Sequence, residues 1–397
     1  MLAAKNAKTW FTDLDDAIPL AKWVDDANKR SSLEVGDLIL STRGTIGNCA
    51  LVVPETLPAN LNQDVARIHV KSKSFTPEFL LAFINSEFGQ DWITRNKTGM
   101  VQQGITLAKL QSLMVPQLSL EFQKAIKKII ELSHGYILKA DMAYSSAESL
   151  LLSELGIGVT TIPNGGTSVK SFSESFGETG RLDAEYYQPK YDLIKSTINR
   201  AGTIGTLCNI YDHNFVPDKN KDYKYIELAN IGKSGEIDGV GVFHGSDLPT
   251  RARRLVKSGD VVVSSVEGSL ESIAIITDSY DNAVCSTGFY VVNSDIYNSE
   301  TLLVLLKSPL LQDMLKRGCS GTILTSISKE EFLDIPLPSI LPKVQEEISQ
   351  RISNAYNLWS RSQNLLDNAA KAVEIAIKQD ESTATDWLSV RTPGILQ

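Results

Sequence analysis

The feature that most constrains this chain is an internal repeat with an offset of 222 residues. TPEFLLAFINSEFGQDWI (76–93) aligns with NSETLLVLLKSPLLQDML (298–315), and the alignment continues without a gap through the Pro-containing segments downstream. Upstream, VGDLILSTRG (35–44) aligns with SGDVVVSSVE (258–267) after a slip of one residue. A period this long is typical of two similar domains in one chain, because each copy is large enough to build its own core.

Each copy contains the same order of predicted elements. A Gly-Asp turn leads into a β-rich run, and a second β-rich run follows. A helix of about 15 residues, a polar loop and a Pro-containing exit then complete the copy. The pattern predicts an α+β fold with two tandem β-rich domains.

A long stretch without Pro follows each copy, over residues 120–155 and 341–379. Apolar residues recur there at seven-residue spacing, and a companion row holds mostly small residues. Such a seam predicts two helices that pack as an antiparallel coiled coil and relate the domains by a pseudo-two-fold axis. Two ordinary amphipathic helices, each packed on its own domain, are the alternative. The rows are Ile130, Ile137, Tyr144 and Leu151 beside Ile126, Ser133, Ala140 and Ala147, and Ile352, Trp359, Leu366 and Val373 beside Ile348, Ala355, Ser362 and Ala369.

The domain boundaries follow from this organisation. The segment between the copies is rich in Gly, Ser and Thr, which is typical of a linker. We expect a first β-rich domain over 1–118, a spacer helix over 119–155, a linker over 156–180, a second β-rich domain over 181–340, a second spacer helix over 341–380 and a tail over 381–397.

Composition restricts the function classes. No apolar run approaches the roughly 20 residues that a membrane-spanning helix needs, and the N-terminus lacks a signal-peptide pattern. The 4 cysteines and 4 histidines are scattered, so they form neither a metal-ligand spacing nor a nucleophile constellation. We expect a cytoplasmic protein with reduced thiols, no membrane partner and no metal site.

Motifs for enzymatic chemistry are incomplete. Gly232-Lys233-Ser234 matches the end of a phosphate-binding loop, but Glu227 stands where the first glycine of that motif is required. We find no Asn/Asp-Pro-Pro-Tyr/Phe segment, which is the active-site signature of adenine methyltransferases. The sequence therefore predicts no catalytic residues in this chain.

Two β-rich domains, each followed by a long helix, resemble the specificity subunit of Type I restriction–modification systems, which act in phage defence. The resemblance covers about residues 30–380. It rests on the two Gly-Asp runs, the loops KTGMVQQGIT (97–106) and CSGTILTSIS (319–328), Gln123 and Gln345 at the start of the long helices, and RLDAEYYQPKYD (181–192), which looks like the usual opening of a target-recognition domain.

The resemblance implies that the chain reads double-stranded DNA and does no chemistry. Each target-recognition domain would read one half of a split site, and the paired helices would act as a spacer. Two modification subunits would carry S-adenosylmethionine and methylate adenine, and restriction subunits would use ATP and Mg, so this chain needs no cofactor. A helix of ~35 residues is ~50 Å long, and DNA rises about 3.4 Å per base pair. The readers would then lie roughly one to one and a half DNA turns apart.

Candidate DNA-binding residues are polar and basic side chains in loops. Gln can bind adenine bidentately, and Arg can bind guanine or phosphate. The alternative for each is an ordinary solvated surface residue, and the matching positions of Arg95 and Arg317 also suit structural ion pairs. The candidates are Arg43, Arg95, Lys97, Gln102 and Gln103 in the first copy, and Arg251, Arg253, Arg254, Lys316, Arg317 and Thr322 in the second.

Two other function classes remain open from the residues alone. The chain could be the reader part of a methyltransferase–nuclease fusion, although it contains no catalytic segment, or a scaffold whose duplicated domains bind protein. The net charge of −8 predicts weak DNA binding by the isolated chain and tighter binding in complex with modification subunits, because an acidic surface repels phosphate.

The first copy is shorter than the second at its N-terminal side. Only 35 residues precede Gly36, whereas 78 residues run from Arg181 to Ser258 before the equivalent turn. Nothing in the shorter segment matches RLDAEYYQPKYD or KYIELANIG (224–232) in sequence. We therefore expect a truncated first domain with an unpaired strand edge, an incomplete core and lower stability than the second.

Overall fold

Helices and strands alternate along the chain, so the predicted α+β class is confirmed at the level of a mixed helix-and-sheet fold. The chain divides into two compact units: the first comprises Met1–Leu138 with Leu358–Gln397, and the second comprises Lys139–Asn357. Over the described part of the chain, no helix combines the length and apolar character needed to cross a membrane. The computed structural model describes residues 1–15, 17–99, 103–156, 166–198, 200–320 and 325–395.

Helices and strands are numbered here in chain order. The helices are α1 (Lys22–Ala27), α2 (Pro77–Asn85), α3 (Glu87–Asn96), α4 (Leu107–Leu110), α5 (Leu120–Glu154), α6 (Pro189–Thr197), α7 (Ile204–Leu207), α8 (Ser299–Lys307), α9 (Pro309–Gly318), α10 (Lys329–Leu333), α11 (Pro342–Lys378) and α12 (Glu381–Arg391). The strands are β1 (Trp10–Phe11), β2 (Leu38–Ser41), β3 (Cys49–Leu51), β4 (Val65–Ile68), β5 (Arg200–Thr203), β6 (Asn209–Tyr211), β7 (Asp222–Ile226), β8 (Gly241–His244), β9 (Ala252–Leu255), β10 (Val261–Ser264), β11 (Ile273–Ile275), β12 (Val284–Ser286), β13 (Phe289–Asn293), β14 (Cys319–Ser320), β15 (Ser326–Ile327) and β16 (Pro336–Pro338).

The two long helices, α5 and α11, begin and end within two residues of the stretches that the sequence predicts. Beyond α11, the segment that we expected to be a tail contains helix α12. Asp380 caps this helix by accepting a hydrogen bond from the Thr383 N–H at 2.8 Å. Ala384 and Leu388 are fully buried in the core of the first unit, so α12 is part of that unit.

The helix that we expected over about 76–93 is two helices, α2 and α3, and α8 and α9 repeat the same break. Ser86 has an extended backbone between the first pair, and its hydroxyl donates to the Phe83 carbonyl at 2.7 Å. Ser308 donates in the same way to the Leu305 carbonyl at 2.6 Å. The serine hydroxyl bonds to the last turn of the first helix, and the extended backbone of the same serine precedes the second helix. The periodicity of apolar residues does not reveal such a break.

Each unit contains a four-stranded sheet whose two central strands follow its Gly-Asp turn. In the first unit the strand order is β1-β3-β2-β4, with β1 parallel to β3 and the other pairs antiparallel. In the second unit the order is β11-β10-β13-β6, and further sheets have the orders β8-β7-β12-β9 and β16-β5. Strands β2, β3 and β4 therefore correspond to β10, β11 and β13.

A glutamine at the start of each long helix ties that helix to the loop before α2 or α8. Gln123 Oε1 accepts from the Thr76 N–H at 2.8 Å, and its Nε2 donates to two carbonyls at 2.9 Å. Gln345 Oε1 accepts from the Asn298 N–H at 3.1 Å, and its Nε2 also donates to two carbonyls. The repeated glutamine therefore satisfies the same three backbone groups in each unit.

The N-terminal residues 2–7 have the local structure of residues 226–231, which sequence comparison did not pair with them. In both segments an asparagine accepts a bond from the N–H three residues earlier, at 2.9 Å for Asn6 and 2.8 Å for Asn230. Each asparagine also donates to two carbonyls of the following loop. The similarity was not detectable because it depends on backbone geometry and one side chain.

Candidate nucleic-acid interface

A cleft in the first unit brings together two predicted DNA-binding residues, Arg43 and Gln103. Thr98 and Gly104 exchange backbone hydrogen bonds at 2.8 and 2.9 Å and close the loop between them. Arg43 forms a bridge with Gly104, so Gly104 lies against the residues that follow β2. The resulting cavity of about 700 Å³ is lined by Arg43, Gln63, Gly99, Gln103 and neighbouring backbone.

Both side chains in this cleft are accessible to a ligand. Gln103 is exposed. The Arg43 side chain is 56% exposed, and its Nη1 lies 3.4 Å from Asp64 Oδ1. An exposed ion pair at this distance contributes little to stability, so the guanidinium can exchange Asp64 for phosphate or a base edge at small cost. Gln102, predicted for the same loop, lies outside the described residues.

The other two candidates of the first unit lie at the end of α3. Arg95 is in the last turn, 80% exposed, with Nη2 3.6 Å from Asp91 Oδ2. Lys97 follows the helix and directly precedes Thr98, which lines the cleft. Arg95 is not among the residues that line it.

The arginines of the second unit differ in availability. Arg251 is exposed, and Arg253 Nε donates to the Thr250 carbonyl at 3.0 Å near the surface. Arg254 donates through Nη1 to the Asp212 carbonyl and, at 3.2 Å, to Asn214 Oδ1. Since successive side chains of β9 point to opposite faces, Arg253 and Arg254 serve different surfaces.

The contacts of Arg254 extend to α10. Lys329 Nζ lies 2.5 Å from Asp212 Oδ2 and, by this hydrogen bond, holds the pKa of Asp212 below its ordinary value, with a further contribution from Arg254. Arg254 therefore supports the loop before β7, and DNA binding by its side chain stays a prediction.

Arg317 lies over an aromatic ring of the RLDAEYYQPKYD segment. Its Cζ is 3.9 Å from the Tyr186 ring centroid, and its Nε donates to the Tyr186 carbonyl at 3.1 Å. Arg181 lies 4.3 Å from the same centroid, and Lys190 Nζ is 2.7 Å from Asp313 Oδ1. Burial raises the pKa of Tyr186 to about 12. The segment thus fastens itself to α9 through cation–π and ionic contacts.

The remaining candidates of the second unit lie beside this cluster or outside the described residues. Lys316 is exposed and lines a surface cavity of about 850 Å³ with residues of the same segment. Thr322 lies outside the described residues. Strand β14 pairs with β15, and Val266 bridges to Ser326 as Arg43 bridges to Gly104. The second unit therefore presents Val266 where the first presents Arg43.

One basic position was missed by the sequence analysis. Arg30 is exposed in a short turn six residues before its Gly-Asp motif, and Arg253 lies six residues before the second one. Three residues after each arginine, the Leu33 N–H donates to the Ala59 carbonyl and the Val256 N–H donates to the Ala283 carbonyl, both at 3.0 Å. The common distance to the Gly-Asp motif was the signal that could have identified Arg30.

Within the ranges that the structure describes, no group of three or more His, Cys, Asp or Glu side chains could hold a metal ion. The cysteines Cys49, Cys285 and Cys319 are free and buried, and Cys208 is free and half-buried. Burial raises the thiol pKa at each of these positions, which disfavours the nucleophilic thiolate.

Part of the chain is similar to known proteins. A family model described as Type I restriction modification DNA specificity domain matches residues 20–132. The Type I restriction enzyme EcoBI specificity subunit of Escherichia coli is 28% identical over 124 residues, which are 31% of this chain and 26% of that subunit. The match thus spans about a quarter of that relative.

Two solved structures align with most of this chain, at TM-scores of 0.28 and 0.32. The HsdS subunit from Thermoanaerobacter tengcongensis is 17% identical, with a TM-score of 0.28 over 88% of this chain and 82% of that one. The Type-I restriction-modification system S subunit from M. genitalium is 12% identical, with a TM-score of 0.32 over 91% and 82%.

Proposed function

We propose that this chain, whose residues 20–132 match the Type I restriction modification DNA specificity domain, is a specificity subunit that reads a bipartite site in double-stranded DNA and performs no catalysis. The resemblance noted in the sequence is confirmed by the family match. The finer assignment, one half-site for each unit, rests on a loop base that is repeated in the two units.

The proposal rests on a feature that both units share: the base of one loop has the same backbone bridge in each unit but different side chains. In each unit, a hairpin loop is bridged to the residues that follow the Gly-Asp strand, through Arg43 in the first and Val266 in the second. Equivalent backbone bridges at the base of each loop, with different side chains beside them, suit two readers with different sequence preferences, since base edges are read by side chains while phosphate contacts set position. Arg43 and Gln103 would read the first half-site, and Arg251 and Arg253 would contact the second.

The long helices support a spacer role. In the first unit, Ser133 and Ser362 share a hydroxyl hydrogen bond of 2.7 Å between α5 and α11. In the second, Arg351 Nη1 donates to the Ser146 carbonyl at 2.7 Å. A later residue of α5 meets an earlier residue of α11, as an antiparallel coiled coil requires. We propose that this pairing provides the pseudo-two-fold relation by which two readers would match the symmetry of duplex DNA.

The partners follow from the family. We propose that the chain acts in the cytoplasm with two modification subunits, which would carry S-adenosylmethionine, and with restriction subunits, which would use ATP and Mg. The net charge of −8 favours this arrangement, because basic partner surfaces would supply phosphate contacts that this acidic chain provides sparsely.

The test is the methylation pattern of single variants. Chain and modification subunits are expressed together, and methylated adenines are located by sequencing. We expect Gln103→Ala to relax one half-site and Arg253→Ala to weaken or relax only the other, because a good bidentate base contact discriminates by about 1–3 kcal/mol. Arg361→Ala, an exposed arginine on α11, is the matched control and should change neither half-site.

Two results would overturn parts of the proposal. A change in both half-sites from either single substitution would refute modular reading. DNA recognition itself is refuted, and a protein-binding scaffold is favoured, if the complex with modification subunits shows no binding to duplex DNA at low salt, where counterion release makes binding strongest.

A further inference from the structure

An apolar groove follows the outer edge of the first unit's sheet. It has a volume of about 380 Å³ and lies between β4, α2, α4 and the segment that leads to α5. In the part of the chain that the structure describes, β4 pairs with β2 on one side and with no strand on the other. Aliphatic side chains form most of its wall: Leu40, Ile68, Leu80, Ile84, Leu110 and Val115.

In the second unit the equivalent wall is covered by the unit's own residues 198 and 200–211. Strand β6 pairs with β13, the counterpart of β4, and β5 pairs with β16, the counterpart of residues 114–116. Between them, α7 lies on α10, and Ile204 donates its N–H to the Ile335 carbonyl at 2.9 Å. Ile198 and Ile204 are buried in the core.

The cover changes the exposure of matched positions. Met114 is 84% exposed, whereas its counterpart Pro336 is buried in β16. Val115 is half-buried, whereas its counterpart Leu337 is 0% exposed. The groove of the first unit is therefore the surface that a strand–turn–strand segment occupies in the second.

We propose that this groove binds a second polypeptide through a segment with the pattern of Ile198–Tyr211: a short strand, one helical turn carrying a buried aliphatic residue, and a second strand. Such a segment would extend the sheet at β4, satisfy the backbone groups of residues 114–116, and insert its aliphatic side chain beside Leu110. Main-chain pairing at a sheet edge supplies affinity in this mode of recognition, and the apolar wall supplies specificity.

The groove also indicates one chemical preference of that segment. In the second unit, Lys329 of α10 forms an ion pair with Asp212 at the end of the cover. Leu107 stands at the position equivalent to Lys329, and it is largely exposed. The partner segment should therefore carry an apolar residue where the second unit has Asp212. A second copy of this chain is a poor occupant, because its own segment is buried within its second unit.

The experiment uses the full chain and a synthetic peptide with the sequence of residues 196–212 carrying Asp212→Leu. Amide hydrogen exchange is followed by mass spectrometry as the peptide concentration is raised. We expect amide exchange to slow at least tenfold in residues 65–69 and 113–115, and this protection to saturate with peptide concentration. The peptide with Ile204→Asp should give no protection, whereas the peptide with Tyr211→Asp, changed at an exposed side chain, should protect. On the protein side, Met114→Asp should weaken binding, and Val390→Asp, an exposed apolar residue outside the groove, should not.

Protection that is absent, or equal with the Ile204→Asp peptide, overturns the proposal. If the chain alone becomes protected at the groove as its own concentration rises, with dimers in solution, the occupant is a second copy and the proposal of a separate partner is wrong. None of these outcomes depends on DNA reading, because no DNA or modification subunit is present in the experiment.

Discussion

Strand β13 of the second unit has β10 on one side and β6 on the other, whereas its counterpart β4 in the first unit has β2 alone among the described residues. The strands that form the interior are nearly the same in both, from the Gly-Asp turn to the Pro-containing exit. What differs is the edge, which in the second unit is completed by residues that precede the repeat. The comparison teaches that the repeated sequence specifies each core, and that the cover of the sheet edge is a separate module.

The largest effect should come from the buried glutamines, and it should be equal in the two units. Gln123→Leu and Gln345→Leu each leave three backbone groups without partners, and we expect each to destabilise its own unit by about 3 kcal/mol. Urea denaturation combined with amide exchange assigns the loss to a unit. Gln111→Leu, at an exposed position, is the control. A much smaller loss at Gln123 would mean that the first unit is already locally open there.

Replacing a small residue in the helix seam should have a somewhat smaller effect. Ala369, in the first unit, and Ala140, in the second, are both buried. Tryptophan at either position overpacks the seam, which costs about 2 kcal/mol. Thermal unfolding of Ala369→Trp and Ala140→Trp measures this cost, with Lys139→Trp as the exposed neighbour. If one of the two buried sites accepts tryptophan without loss, close packing of α5 and α11 is absent there.

The smallest effect should be the difference in stability loss between matched substitutions in the two asparagine loops. Asn6 is 1% exposed and Asn230 is half-buried, although their hydrogen bonds are equivalent. We expect Asn6→Ala to cost about 2 kcal/mol and Asn230→Ala about 1 kcal/mol, because a buried carbonyl or N–H left unpaired cannot turn to water. Denaturant midpoints of the two variants decide the order. Equal midpoints would show that burial does not distinguish these loops.

The sequence was sufficient to predict the features that depend on period and composition. The absence of Pro and the heptad rows predicted the bounds of α5 and α11 to within two residues, because a helix of that length is set by its own pattern. The repeat predicted corresponding strands in the two units. The broken helices at Ser86 and Ser308 were missed, since an apolar period continues across a single extended residue.

The candidate site was less predictable, because availability of a cation depends on its neighbours. Arg317 and Arg43 are both arginines in or beside loops, yet one lies over the Tyr186 ring and the other lines an open cleft. The aromatic partner of Arg317 is more than a hundred residues away in sequence, so no local pattern could have revealed it. Arg30, by contrast, was within reach of the repeat and of its distance to Gly36.

The hydroxyl pair Ser133–Ser362 has a consequence for how the length of this protein can change. At the positions related by the repeat, the second unit has Ala355 and Ala140, so a polar contact marks only one of the two equivalent places in the seam. Insertion of a whole heptad into one helix would keep the apolar residues facing the partner helix. It would also place one serine opposite an apolar side chain, so that a buried hydroxyl would have no hydrogen-bond partner. Insertions or deletions in α5 should therefore be tolerated only when α11 changes by the same length.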